Sequence, residues 1–456
     1  AMMFTQLVTY GQNLKSLYET PGLTPEWVRR PQRSRATELI EQARAEGRTT
    51  LSEPESKELL DAYGIPVAET HTAATVEEAV TAAEAIGYPV VVKLVSHTIT
   101  HKSDVGGVRL DLPDAEAVRE AFAAIQSSVT EHYAASDFEG VSVQPMIERE
   151  GYELILGSSI DPQFGPVLLF GLGGTLVEVF KDRSLGLPPL TATLARRMME
   201  QTKIYTALKG VRGQSSVDMA ALEQLLVRFS ELVVEQPAIA ELDINPLLAS
   251  PKRLLALDAR VILQPRDVAD ADLPRPAIRP YPRQYARAWT SPDGRECVIR
   301  PIRPEDESLI VEFHGHLSDE AVYQRYFSQL GYEQRVAHER MVRVCFTDYD
   351  RVIALVAEQL DSELGKVHIG GVARLIKIEN SDDAEFSLVV RDDCQGQGLG
   401  TEMLSRIIEV ARAEGVSRLL GEILNNNSGM IHVCQSLGFT ISAPSGGDTV
   451  TAELVL

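Results

Sequence analysis

VVRDDCQGQGLGTEML, residues 389–404, places three glycines within five residues, between an apolar run and a helical pattern. The preceding AEFSLVV (384–390) reads as a strand, and LGTEMLSRIIEVARAEG (399–415) as a helix. A strand, a glycine loop and a helix start together make an anion site, because free N–H groups at a helix N-terminus point at phosphate oxygens. The spacing Gln395-x-x-Gly398-x-Gly400 differs from both the G-x-G-x-x-G and G-x-x-x-x-G-K-[ST] patterns. No lysine follows it, so the loop is not built for a γ-phosphate. A bare glycine-rich turn is the alternative.

Further features surround the loop. NNNSGMIHVCQSLGF (425–439) reads as a second helix with Asn427 at its start. Glu385 lies ten residues before Gln395, on the strand that enters the loop. A lysine amine has a pKa of about 10.4 and attacks only when neutral, so acyl transfer to it needs a base. Glu385 is the candidate base; a solvated rim residue beside NSDDAE is the alternative. Q-x-x-G-x-G is the pyrophosphate loop of GNAT acetyltransferases, and residues 297–456 resemble that family. The resemblance implies acetyl-CoA as donor, held by Val390, Gln395, Gly396, Gly398, Gly400 and Asn427, with a catalytic glutamate at Glu385. Many GNAT enzymes carry a tyrosine acid seven residues after the helix Asn. Here that position is Cys434, read as a small buried hydrophobe rather than an acid.

A second informative stretch is YPVVVKLVSHTITHKSDVGGV, 88–108. Lys93 ends a strand expected to be buried on both faces, where a lysine is costly unless it meets an anion. Gly106 and Gly107 offer backbone that can approach phosphates. VQPMIE and YELILG follow, with Glu153 as a candidate nucleotide contact. LDINPL and ALDAR put Asn245 and Asp258 on neighbouring strands, a donor pair suited to a hard cation held with phosphates. His97 and His101 are four apart, which suits a metal on a helix, but the glycine-rich context argues for a loop. In order, these elements resemble the ATP-grasp part of ADP-forming acyl-CoA synthetases, relatives of the succinyl-CoA synthetase β subunit. The resemblance implies ATP or ADP and Mg²⁺ as ligands, Lys93 and His101 near phosphate, and Asn245 and Asp258 as metal ligands. Residues 1–35 resemble the end of a preceding CoA-ligase subdomain. The CoA-binding domain and the upstream histidine of fused synthetases are not in this sequence, which leaves three readings: a missing N-terminal half, an α-type partner chain that supplies them, or a ligase part that is no longer catalytic.

Composition narrows the partners. The 456 residues carry a formal charge of −21, which disfavours nucleic acid and anionic lipid. No apolar run approaches the ~18 residues of a membrane span. Residues 1–20 lack the pattern of a secretory signal. Four cysteines without a C-x-x-C pair suggest a reduced, cytoplasmic protein. Five prolines between 265 and 282 suggest a stiff linker. The expected architecture is α/β: a remnant (1–35), an ATP-grasp domain (36–265), a linker (266–296) and a GNAT domain (297–456). A synthetase-like module fused to a GNAT domain is the layout of Pat-type protein lysine acetyltransferases. That family acetylates proteins including AMP-forming acetyl-CoA synthetase, and its ligase-like part is taken as a sensor. The alternatives are an ADP-forming ligase β module with an accessory GNAT domain, or a non-catalytic nucleotide sensor that also supports a homo-oligomer.

Overall fold

The computed structural model describes residues 19–20, 32–99, 102, 104–148, 150–174, 182–211, 215–361, 365–442 and 447–456. The described residues fall into two compact units, 32–278 and 279–456, with residues 19–20 belonging to the second.

In the first unit, α1 (Gln32–Ala45) and α2 (Glu53–Ala62) come first. The Ser52 side chain caps α2 and Glu55 returns the bond, as the S-x-x-E spacing predicts. Then follow β1 (His71–Ala73), α3 (Val76–Ile86), β2 (Val90–Leu94), β3 (Val108–Leu112), α4 (Ala115–His132) and β4 (Val141–Pro145). These strands form an antiparallel sheet in the order β1-β4-β2-β3. All five residues of β2 are buried, as a continuous apolar run requires.

A second sheet is built from β5 (Tyr152–Asp161), β6 (Gly165–Leu172), β7 (Arg183–Gly186), β8 (Ile239–Ala249), β9 (Leu254–Ala256) and β10 (Ala259–Leu263). Its order is β10-β8-β5-β6-β7, with β9 beside β8. Helices α5 (Ala192–Glu200), α6 (Ile204–Leu208) and α7 (Met219–Glu235) lie between β7 and β8 in sequence. Leu222, Leu226, Phe229 and Leu232 of α7 share one core with Leu154, Leu156, Leu168 and Phe170. The stretch RLLALDARVIL forms two strands, broken at Leu257 and Asp258.

The second unit has one sheet of eight strands: β11 (Arg287–Thr290), β12 (Glu296–Pro301), β13 (Val352–Asp361), β14 (Lys366–Lys377), β15 (Asp383–Val390), β16 (Arg418–Leu424), β17 (Thr440–Ser442) and β18 (Thr449–Val455). The order is β11-β12-β13-β14-β15-β16-β18-β17. β11 falls inside the segment expected as linker, because Arg287–Thr290 pairs antiparallel with Glu296–Ile299. Helices α8 (Glu307–Gly315), α9 (Asp319–Tyr326), α10 (Tyr332–Arg335) and α11 (His338–Cys345) precede β13; α12 (Leu399–Ala413) follows β15, and α13 (Ser428–Ser436) follows β16. The sheet is apolar on both faces. Leu355, Ala373, Leu375 and Phe386 pack with α12. Their neighbours Ala354, Val356, Val372 and Val389 pack with α8 and α11. This is the period-2 alternation of a sheet covered on both sides.

Candidate functional site

β15 pairs with β14 over Ala384–Val390, but with β16, in parallel, only over Asp383–Glu385. Past Glu385 the two strands part. The backbone groups of β15 that point away from β14 then lack a ladder partner, which leaves them available to a bound chain. The Phe386 ring packs on the backbone of β16 where the strands part: a Cβ at Gly421 would stand 2.4 Å from it. A cavity of about 830 Å³ opens there, lined by Glu385, Leu388, Val390, Gln395, Gly400 and Asn427, among others.

The glycine loop closes one end of this cavity. Gly396 and Gly398 have φ of +72° and +83°, a conformation that a side chain disfavours. Gly398 is the N-cap of α12, and no side chain caps the helix. Its first-turn N–H groups therefore remain free for an anion. Gln395 Nε2 donates to the Val390 carbonyl at 3.1 Å, which ties loop to strand. Asn427 is the N-cap of α13, and its Oδ1 accepts from Met430 N–H at 3.0 Å. That oxygen is engaged, so the amide NH₂ is what Asn427 has left for the cavity. Glu385 is exposed and lines the cavity at the point where the strands part. Cys434 lies in the core, with its thiol pushed up to about 12 by burial, which fits the reading of it as a hydrophobe.

The first unit gathers a different cluster. Lys93 does meet an anion, but it is the protein's own: its Nζ donates to Glu53 Oε1 at 2.8 Å and to the Leu257 carbonyl at 3.1 Å. Lys102 Nζ donates to Glu53 Oε2 at 2.6 Å, and Gln144 Nε2 to Glu53 Oε1 at 2.6 Å. Lys57 Nζ stands 3.0 Å from Glu53 Oε1. Burial opposes ionisation of Glu53, yet Lys93, Lys102 and Lys57 together hold it well below the usual carboxylate range. Burial, against the pull of Glu53, lowers Lys57 to about 8. Asp258 is raised, first by burial and then by Glu53. At the break between the strands the Leu257 carbonyl accepts from Lys93, and the three lysines act on Asp258 electrostatically, against its burial and Glu53.

Asn245 and Asp258 flank the pair Ile244–Ala259 on β8 and β10, so they lie side by side as expected. Asn245 Oδ1 already accepts from Gly174 N–H at 3.1 Å. Among the described residues no three His, Cys, Asp or Glu side chains form a metal cluster. One amide and one carboxylate fit a magnesium ion only if nucleotide phosphates and water complete its oxygen shell. Gly106, with φ of +65°, and Gly107 have an internal use: Gly107 N–H donates to the Lys102 carbonyl at 2.7 Å, and a Cβ at Gly107 would stand 2.8 Å from that oxygen. Glu153 crowds Gly174, where a Cβ would meet its carboxylate at 2.1 Å. His101 lies outside the described residues, as do Thr100 and Ser103. Sequence reasoning missed Glu53, Lys57, Lys102 and Gln144. The spacing of Glu53 and Lys57 reads as an ordinary surface i,i+4 pair.

A sheet that parts beside a glycine loop and an uncapped helix defines an acyl-CoA-type transferase unit, and the first unit defines a nucleotide-ligase-like one. The comparisons agree. Residues 42–263 match the ATP-grasp domain family and residues 297–440 the acetyltransferase (GNAT) domain family. The β subunit of ADP-forming acetate–CoA ligase I of Pyrococcus furiosus is 45% identical over 230 residues, 50% of this chain and 98% of that one. An acetyltransferase of Pseudomonas aeruginosa is 30% identical over 147 residues, 32% of this chain and 76% of that one. The GNAT domain of S. lividans PAT superposes with a TM-score of 0.35 and 27% identity, covering 39% of this chain and 99% of that one. The chain belongs to both families: an ATP-grasp module homologous to the β subunit of ADP-forming acetyl-CoA synthetases, followed by a GNAT acetyltransferase domain.

Proposed function

We propose that the chain is a protein Nε-lysine acetyltransferase that uses acetyl-CoA, with its ATP-grasp module sensing nucleotide or acyl-CoA. The observation that carries this reading is the position of Glu385, where β15 and β16 part, inside the cavity that the uncapped start of α12 closes. The pyrophosphate of acetyl-CoA lies against the N–H groups of Gly396–Gly400. The pantetheine arm runs along the open edge of β15, whose free N–H groups donate to the thioester oxygen as charge develops there. Glu385 takes a proton from the lysine ammonium, directly or through water, and the neutral amine attacks the carbonyl carbon. The C–S bond breaks, CoA leaves as the thiolate, and the amide nitrogen loses its second proton to solvent. No residue is needed to protonate the thiolate, which is consistent with a buried Cys434.

AMP-forming acetyl-CoA synthetase is the proposed target. Transfer of labelled acetyl from acetyl-CoA to that purified enzyme, with mapping of the modified lysine, tests it. No transfer while acetyl-CoA is bound rejects this target.

In the ATP-grasp module, Lys93 and Lys102 are the residues proposed to hold nucleotide phosphates, with Asn245 and Asp258 toward Mg²⁺. A second reading, a catalytic β module of an ADP-forming ligase, is favoured by the 45% identity to such a β subunit. ADP release that requires acyl group, CoA and ATP, with an α chain added, supports it. ATP binding without such release leaves the sensor.

A further inference from the structure

A second cavity, of about 280 Å³, lies on the α8–α11 face of the acetyltransferase sheet and shares Arg325, Ser387 and Val389 with the first. Three guanidinium groups line it: Arg325 at the end of α9, Arg340 on α11 and Arg374 on β14. Arg325 Nη2 donates to Ser387 Oγ at 2.8 Å. Arg325 and Arg340 stand 5.0 and 4.9 Å from the Tyr326 ring centroid. Among the described residues, none of the three pairs with a carboxylate. Two other buried or half-buried arginines of this unit are matched by acids: Arg300 lies against Asp306, and Arg279 against Glu414. In a chain with a formal charge of −21, three neighbouring arginines without an acid are an anomaly that needs a cause.

His314 adds an independent observation. It is 4% exposed, lines the same cavity, and its Nδ1 has no hydrogen-bond partner. Burial, followed by the charge of Arg335 and Arg340, lowers it to about 4, so the ring is neutral. Burial and mutual repulsion likewise lower Arg325 and Arg374. A buried polar atom without a partner is uncommon in folded proteins and calls for a water, an ion or a ligand.

The register fixes where such a ligand would sit. Arg374 pairs with Ser387 across β14 and β15, and Ile376 pairs with Glu385. Ser387 and Glu385 are two residues apart on one face of one strand, about 7 Å. The arginine pocket is thus one step along the strand from the carboxylate proposed to receive the amine's proton.

We propose that Arg325, Arg340 and Arg374, with His314, form a carboxylate-binding subsite for the acetyl acceptor. The proposal rests on the acetyltransferase reading and extends it to acceptor choice. The carboxylate is either an acidic side chain beside the acceptor lysine or the carboxylate of a free amino acid; both present the same planar pair of oxygens, which a guanidinium binds through two N–H groups. The cationic ring also favours the neutral form of a nearby amine, since like charge disfavours the ammonium.

Full-length protein with acetyl-CoA is assayed on two matched pairs: a lysine peptide with a flanking aspartate against the same peptide with asparagine, and a free amino acid against its amide. Wild type is expected to use the acid of one pair at least tenfold better in kcat/KM, the preferred pair naming the source. Arg374→Gln and Arg325→Gln should erase that preference, mainly through KM. Because a charge without a counterion opposes folding, Arg374→Gln is also expected to keep or raise Tm, whereas a merely structural arginine would lower it. Equal use of both members of each pair overturns the subsite and leaves the acetyltransferase reading standing. A preference for succinyl-CoA over acetyl-CoA that Arg374→Gln removes would place the carboxylate on the donor and also overturn it. No turnover with any acceptor, while acetyl-CoA is bound, overturns the acetyltransferase reading and the subsite with it.

Discussion

Replacing Glu53 with glutamine changes one oxygen to NH₂ and leaves the volume almost unchanged, yet among the described residues it removes the one carboxylate paired with Lys57, Lys93 and Lys102. Glu53 and Lys57 are buried, and Lys93 is 9% exposed, so water cannot substitute. Removing one partner of a buried ion pair costs about 3–5 kcal/mol. At 1.4 kcal/mol per decade that is about 10²- to 10³·⁵-fold faster amide exchange through unfolding of this unit. Exchange read by mass spectrometry on the full chain separates the units: peptides from α2 and β2 should lose protection in Glu53→Gln, and those from β13–β15 should not. Glu53 is what raises Lys57 against its burial, so in Glu53→Gln Lys57 sheds its proton at lower pH than the value of about 8 it has in wild type, and the deficit should shrink as pH rises toward 8 and level off above it. The freed ammonium groups should also bind anions, and inorganic phosphate should restore more stability to Glu53→Gln than to wild type. Unchanged protection in α2 and β2, or no extra phosphate effect, would refute the description of this cluster as a charge-balanced anion site.

Other outcomes follow from the acetyltransferase unit. Glu414 is lowered to about 2: burial opposes its ionisation, but hydrogen bonds from Arg279, Tyr285 and Lys377 prevail. Its folded value lies below its unfolded one, so the stability it contributes is present above about pH 4.5 and lost as pH falls toward 2, about 3 kcal/mol in all. Acid unfolding followed by near-UV circular dichroism should show that slope in wild type and lack it in Glu414→Gln. Gly421→Ala drives a methyl into the Phe386 ring and should cost about 1–3 kcal/mol; calorimetric Tm and acetyl-CoA affinity should fall together. Cys434→Ala should lower Tm slightly and leave kcat unchanged; a large fall in kcat would make the thiol the acid that its burial argues against.

The parts legible in the sequence were those whose cause is local. The capping box at Ser52, the apolar run of β2 and the strand–glycine–helix order at 384–413 depend on neighbours in the chain. They fold where the spacing predicts. Glu385, Gln395, Gly396, Gly398, Gly400 and Asn427 do line one cavity. What sequence could not supply is which distant segments pack together. Glu53 lies 40 residues from Lys93 and 91 from Gln144, so nothing local announces their meeting. The same holds for Arg325, Arg340 and Arg374, which come from two helices and a strand. The short helices between 307 and 345 are also not legible in the sequence pattern. β11 was hidden by the prolines before it, which stiffen the chain without preventing an edge strand.

The most direct test of the central claim is turnover by Glu385→Gln. The account predicts acetyl-CoA binding within experimental error of wild type, and kcat lower by about 10²- to 10⁴-fold, the loss expected when one proton transfer is removed from the transition state. Unchanged kcat with acetyl-CoA bound would contradict the assignment of Glu385 as the base.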